Sequence, residues 1–319
     1  MKKKSIWISA VIIICLLFLL VVNCFDYGAE KRKKSVQVAI SFSDTKNART
    51  TAIWQDVLEN LERQGFTVEW RDANADIEKQ KHDIQELLEY EPEYLAVMPV
   101  KTIGLEESLR QADQGKAKII MLDRLADNLE DISVLAEIRT DAMWEGEACA
   151  DLLARFFDGR EGKILEVRGE NGSSINRMHN IGFRNQLSEY GNLEITASTE
   201  GNGDRGTARN NVMNYLLNHP GSIDAIFANT DEEGIGAVHA LEELGLREQI
   251  TIVSVNGIKD VKTAIQAGGY YGCVEASPYL GRELAELIDQ DMQGIQTQSS
   301  MVARGNVFTV SNLDEMQGY

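Results

Sequence analysis

The feature that most constrains this chain is a regular exchange between two hydrophobic periods over some 270 residues. Short apolar runs, Val36–Phe42, Thr67–Trp70, Tyr94–Met98, Ile119–Leu122 and Val134–Ile138, alternate with segments whose apolar residues recur every three or four positions. Ile53, Val57 and Leu61 form one such stripe, and Ile77, Ile84, Leu87 and Leu88 the next. That spacing stacks side chains on one face of a helix. After residue 140 the pattern restarts, with runs at Ile164–Val167, Leu193–Ser198, Ile223–Ala228, Ile250–Val255 and Tyr271–Val274 and helical stripes between them. A last stripe at Leu280, Leu284, Leu287 and Ile288 precedes two short closing strands, Met301–Ala303 and Val307–Val310. Ile119-Ile120-Met121-Leu122 is apolar without alternation, as a strand covered on both faces requires. The pattern predicts an α/β protein with parallel, doubly wound sheets, and 319 residues accommodate two such sheets better than one.

The first 34 residues follow another logic. Lys2, Lys3 and Lys4 precede Ile6–Val22, seventeen residues broken only by Ser9. A basic start and an apolar run are the pattern of an export signal, and the run reaches the lower edge of the ~17–25 residues of a spanning helix. A membrane-spanning or signal helix is therefore expected, with three fates: retention as an anchor, cleavage, or lipidation at Cys24. Leu20-Val21-Val22-Asn23 before Cys24 approach a lipoprotein signal, although Asn23 departs from the small residue usual there. Lys31, Arg32, Lys33 and Lys34 make a basic linker. The body is thus expected outside the cytoplasmic membrane, in the periplasm or on the outer face, tethered through the N-terminal segment.

Charge narrows the partners. The chain carries a net −18, but its first 34 residues hold 7 bases and 2 acids. Residues 35–319 keep 25 bases against 48 acids, a net −23, which repels phosphate backbones and excludes nucleic acid. Cys149 and Cys273 are the cysteines of the body, too far apart for a disulfide framework or a metal spacing, and read as packed thiols.

Doubly wound folds bind ligands at the carboxyl ends of their strands. Here polar residues collect at those ends: Ser43-Asp44 after Phe42, Asp123-Arg124 after Leu122, and Arg139-Thr140-Asp141 after Ile138. In the second half come Asn229-Thr230-Asp231 after Ala228, Asn256-Gly257 after Val255, and Glu275 after Val274. Carboxylates accept hydrogen bonds from hydroxyls, and guanidinium groups donate two in a fixed fork, a chemistry suited to a neutral polyhydroxylated ligand. Phe42, Trp54, Trp144 and Tyr271 are candidates to cover the apolar side of its ring.

Other motifs compete poorly. Gly201-Asn202-Gly203-Asp204-Arg205-Gly206 is a literal G-x-G-x-x-G, but it lies in the second half and its acid, Asp224, sits at a strand start rather than a strand end. There is no phosphate-binding Walker loop and no nucleophile elbow. His82, His179, His219 and His239 are scattered, so no metal is expected, and His179 reads as solvated or as a minor contact. Asp231-Glu232-Glu233 reads as a solvated helix start, because adjacent residues there point apart. No cofactor and no catalytic residues are expected.

The order of the strand-end motifs resembles that of periplasmic sugar-binding proteins of the ribose and galactofuranose type, relatives of lac-repressor effector domains, over about residues 36–310. Leu122-Asp123-Arg124 resembles that family's strand-end Asp-Arg pair, whose side chains hold sugar hydroxyls. Gly172-Ser173-Ser174-Ile175-Asn176-Arg177 resembles its glycine-serine loop, which implies that Arg177 reaches the sugar. Phe227-Ala228-Asn229-Thr230-Asp231 and Val255-Asn256-Gly257 resemble its Phe-Ala-x-Asn-Asp and strand-end Asp-Gly segments, with Thr230 for the usual Asn and Asn256 for the usual Asp. Val274-Glu275-Ala276-Ser277-Pro278 is similar to the Val-Glu-x-x-Pro of galactofuranose-type members. In the first loop Arg49 stands near, offset by one, from where those members use a Trp-Arg pair, and Gly203 stands where an aromatic often covers the sugar.

The resemblance implies two lobes, a periplasmic binding protein type I fold, closing over three crossing segments near residues 138–141, 274–277 and 302–306. The N-terminal lobe would hold 35–139 and 276–302, and the C-terminal lobe 140–275 and 303–319, after the 1–34 anchor and linker. Phe42, Arg49, Asp123, Arg124, Arg177, Asp231, Asn256 and Glu275 would hold one monosaccharide. The partner would be an ABC sugar permease or a membrane sensor histidine kinase. An enzyme on a similar scaffold, a glycosidase or dehydrogenase, is the alternative of another class.

Overall fold

The computed structural model describes residues 36–319. The apolar run Ile6–Val22 and Cys24 lie outside the described residues, and among those described no helix is long and apolar enough to cross a membrane.

The first half runs β1 (Val38–Phe42), α1 (Ala48–Arg63), β2 (Val68–Asp72), α2 (Ile77–Leu88), β3 (Tyr94–Val97), α3 (Glu106–Gln114), β4 (Lys118–Leu122) and β5 (Val134–Thr140). The second runs α4 (Ala142–Phe157), β6 (Gly162–Arg168), α5 (Ser174–Leu187), β7 (Leu193–Glu200), α6 (Arg205–Asn218), β8 (Ala225–Ala228), α7 (Asp231–Leu244), β9 (Thr251–Asn256), α8 (Lys259–Gln266) and β10 (Gly272–Glu275). Then come α9 (Gly281–Met292), β11 (Ser300–Ala303) and β12 (Val307–Thr309). Two six-stranded sheets result, in the orders β11-β5-β4-β3-β1-β2 and β12-β10-β9-β8-β6-β7. These are the two parallel-sheet α/β lobes of a periplasmic binding protein type I fold.

The chain passes between sheets three times: after β5, after β10 and after β11. The last passage explains the one antiparallel strand pair among the described residues, in which Cys273 faces Phe308. β11 runs parallel to β5 and ends at the junction of the lobes, and residues 304–306 are too short to return the chain to the far end of the second sheet. A parallel strand needs a crossover of a dozen or more residues, so β12 runs the other way.

Both faces of each sheet are covered. In the first lobe Ile53, Val57 and Leu61 of α1 pack with Leu284 and Ile288 of α9 on one face, and Ile84, Leu87 and Leu109 on the other. Each such side chain contributes roughly 1.5–3 kcal/mol when fully buried. In the second lobe α4 and α5 cross backbone to backbone. A Cβ on Gly146 would sit 2.1 Å from the His179 carbonyl oxygen, and one on Gly182 2.0 Å from that of Met143. The glycines are what let these helices approach, and their approach sets where α5 begins, at the edge of the cleft.

Candidate functional site

The carboxyl ends of both sheets meet around a small cavity of about 50 Å³. Asn47, Arg49, Thr50 and Arg124 border it from the first lobe. Glu170, Ser173, Ile175, Asn176, Gly203, Thr230, Glu232 and Asn256 border it from the second.

Arg49 enters from the first turn of α1, which starts at Asn47 because its side chain accepts from the Thr50 N–H. The guanidinium meets Asp123 in a two-point pair, Nη1 to Oδ2 at 2.9 Å and Nη2 to Oδ1 at 2.5 Å. Its Nε donates to the Ala276 carbonyl at 3.2 Å, on the second crossing segment. Burial works against the charge, but the Asp123 carboxylate, through its charge and hydrogen bonds, holds the guanidinium above its ordinary value. Asp123 adopts φ 62°, a conformation that turns its carboxylate back into the protein at the end of β4.

The next residue, Arg124, donates from Nη1 to Glu170 Oε2 at 3.1 Å and approaches Asp44 at 3.9 Å. Its Nε is buried without a protein partner, a donor available to an acceptor in the cavity. Asn256 closes the opposite side with φ 132°, a region rare for residues with a Cβ. Backbone strain of this kind clusters at ligand sites.

Five of the expected contacts do not border the cavity: Asp123 is buried behind Arg49, and four are placed elsewhere. Phe42 lies wholly in the first lobe's core, its ring 6.2 Å from that of Trp70, because β1 is buried on both faces. Asp231 is fully buried and committed within its own lobe: it accepts from Ser254 Oγ, from the Gly257 N–H at 2.6 Å and from the Ile258 N–H at 2.8 Å. It braces the loop that carries Asn256, and burial pushes its carboxyl up to about 7 against those bonds.

Arg177 lies at the surface in a two-point pair with Asp127, at 3.0 and 3.1 Å, so it ties the lobes together outside the cavity. One helix position is a turn of about 100°, and Asn176, not Arg177, faces inward. Glu275 Oε2 accepts from the Asn306 N–H at 3.1 Å and Nδ2 at 2.9 Å, joining the second and third crossing segments away from the cavity. Nor do Trp54, Trp144 or Tyr271 border it: Trp54 packs on Trp70, Trp144 carries the Arg304 guanidinium, and Tyr271 packs on Phe156.

Further lobe-to-lobe bonds run from the Thr102 N–H to the Gly172 carbonyl and from the Leu125 N–H to Ser174 Oγ, both at 2.9 Å. Glu170, Ser173, Asn176 and Glu232 were missed as cavity residues. Glu170 follows the end of β6, so the same strand-end rule could have found it.

The glycine-rich segment has a steric explanation. A Cβ on Gly201 would fall 2.1 Å from Glu233 Cγ, Gly203 has φ 69°, and the Gly203 N–H donates to Glu233. Glu233 is buried rather than solvated, with its carboxyl pushed up by burial to about 7. His179 is also buried, with Nε2 2.7 Å from Glu145 Oε2 and Nδ1 near Asn229. Both expectations of solvation failed because neighbouring segments of the same lobe cover these side chains, Glu145 and Asn229 around His179 and the Gly201–Gly203 turn around Glu233. Cys149 and Cys273 are buried free thiols, pushed up by burial. No cluster able to hold a metal ion occurs among the described residues.

Residues 38–296 match the family model described as periplasmic binding protein domain. The ribose import binding protein RbsB of Bacillus subtilis (strain 168) is 25% identical over 272 residues, covering 85% of this chain and 86% of that protein. The galactofuranose-binding protein YtfQ of Escherichia coli (strain K12) is 24% identical over 221 residues, covering 68% of this chain and 70% of its own. Among solved structures, the periplasmic binding protein component of the arabinose ABC transporter of Shewanella sp. ANA-3, bound to α- and β-L-arabinofuranose, superposes with a TM-score of 0.83 at 26% identity, covering 88% of this chain and 94% of that one. With that match, the two lobes and the polar cleft between them, the chain belongs to the periplasmic binding protein domain family.

Proposed function

We propose that this protein binds one monosaccharide, a pentose or hexose that includes furanose forms, and delivers it without catalysis to an ABC sugar importer. The observation that carries the reading is the buried Arg49–Asp123 pair beside the unpartnered Nε of Arg124, at the meeting of two sheet ends. The ligands named for the relatives support a sugar. Arg49, Arg124 and Asn256 are the residues assigned to it, with Asn176, Glu170 and Glu232 added; Asp123 acts through Arg49, whose guanidinium it holds in place.

A cavity of about 50 Å³ holds only a few waters, well short of the ~300 Å³ of ordinary ligand pockets. A sugar therefore enters as the lobes part about the three crossings, 35–139 with 276–302 moving against 140–275 with 303–319. The apolar run Ile6–Val22 supports a tether on the outer side of the cytoplasmic membrane, and its length also suits a second reading, presentation of the sugar to a membrane sensor histidine kinase.

A thermal-shift screen of the protein against pentoses, hexoses and polyols tests the first reading. A ligand at ~100 times its Kd adds about 2.7 kcal/mol of apparent stability. The absence of any shift refutes sugar binding, and turnover of a sugar or of NAD establishes an enzyme instead. Globomycin sensitivity, or release of Cys24→Ala from membranes, marks lipidation; continued attachment marks an anchor.

A further inference from the structure

The segment after β12 returns to the junction of the lobes, and Tyr319 ends there on two carbonyls. Its hydroxyl lies 2.9 Å from the Asn256 carbonyl oxygen and 3.3 Å from that of Ala276. These atoms belong to the two elements that matter most to the cleft. Asn256 borders the cavity in its strained conformation, and Ala276 lies on the second crossing segment.

They are also tied to each other, since the Ala276 N–H donates to the Asn256 carbonyl at 3.0 Å. The Ala276 carbonyl is shared: Arg49, from the opposite lobe, donates to it from Nε at 3.2 Å. One phenolic proton therefore sits at a point where the second lobe's ligand-side strand, the hinge and the first lobe's cleft arginine converge. The segment itself is held to α8, by the Lys259 N–H to the Tyr319 carbonyl at 3.4 Å and by Lys262 Nζ to the Met316 carbonyl at 2.5 Å.

We propose that Tyr319 is a positioning residue for closure: its hydroxyl fixes Asn256 and the crossing segment at Ala276 in the arrangement that Arg49 completes when the lobes meet. The claim rests on the reading of the cleft as a ligand site that closes, but its test needs no ligand. Tyr319→Phe keeps the ring and removes the shared proton. Loss of one hydrogen bond of ordinary strength corresponds to a change of about 2- to 10-fold.

Hydrogen exchange of the full chain without sugar is expected to be faster by that factor at Ala276 and at 256–258, with α8 and the remaining sheet amides unchanged. Small-angle scattering of the same samples is expected to show a larger radius of gyration, as the lobes part. In an Arg49→Met background the Phe substitution is expected to add little to that opening, because the shared carbonyl has already lost its first-lobe donor. Faster exchange confined to α8 and residues 313–319, with the radius unchanged, makes Tyr319 a packing residue only and overturns the proposal, as does unchanged exchange throughout. Failure of every sugar in the thermal screen would leave these results standing and refute the ligand reading alone.

Discussion

Replacing Arg49 by Met removes a buried cation from the centre of the cleft while keeping an unbranched side chain in its place. The Arg49 and Asp123 side chains are 7% and 0% exposed, and the pair uses both carboxylate oxygens. Removal of one partner leaves Asp123 as an uncompensated buried charge, which costs about 3–5 kcal/mol. At the ~2 °C per kcal/mol expected of a chain of this size, the melting temperature falls by roughly 6–10 °C. The Ala276 carbonyl loses its Nε–H donor as well, so the closed arrangement is weakened on both lobes.

The assay is urea unfolding of the wild type, Arg49→Met, Asp123→Leu and the double variant. Removing both charges replaces the ion pair by apolar groups, and the double variant is expected to recover at least ~2 kcal/mol relative to the sum of the singles. An Arg49→Met loss below ~1 kcal/mol with additive singles would show that the pair is hydrated and would refute the description of a closed, buried cleft pair.

Other consequences are open to measurement. Arg124→Ala is expected to abolish the sugar-induced thermal shift with the ligand-free melt nearly intact; collapse of the ligand-free fold would make Arg124 a structural residue. Asp127→Asn breaks the partly exposed pair with Arg177, worth about 0.5–1 kcal/mol, and is expected to weaken sugar affinity about 2- to 5-fold in calorimetry, with the difference shrinking in 1 M salt. Asn256→Gly relieves the strained φ and is expected to raise ligand-free stability by about 1 kcal/mol while sugar affinity falls.

Burial pushes Asp231 and Glu233 each up to about 7, so the folded chain retains two protons that unfolded carboxyls release near pH 4. Their stabilising contribution is full below that point and is lost as pH rises to about 7. Wild-type stability is expected to decline over that window in denaturant titrations, and less steeply in Glu233→Gln.

Much of the fold was legible because hydrophobic period is a local property. All twelve strands were marked by apolar runs, and the stripe Ile53, Val57 and Leu61 is the buried face of α1. The antiparallel edge was not legible, since nothing within Val307–Thr309 records the direction from which the chain arrives. The strand-end rule singled out Arg124 and Asn256, and the resemblance Arg49; the structure places all three on one cavity. The rule could not tell which strand-end side chains face that cavity. Asp231 and Glu275 both end strands or open helices, yet one is consumed by the Gly257 and Ile258 amides and the other by Asn306.

What the sequence by itself determined was the alternation, the two sheets, the acidic charge of the body, and the strand ends around which the cleft lies. Each follows from spacing along the chain or from composition, which survive any arrangement of the lobes. Only the tertiary structure decided the assignments in and around the cleft: that Arg49 pairs with Asp123 across 74 positions, that Arg177 latches to Asp127, and that Gly201 makes room for Glu233. Those choices depend on which donor lies nearest each buried carboxylate once helices and sheets have packed. A hydrogen bond is decided over tenths of an ångström, a distance that linear spacing does not encode.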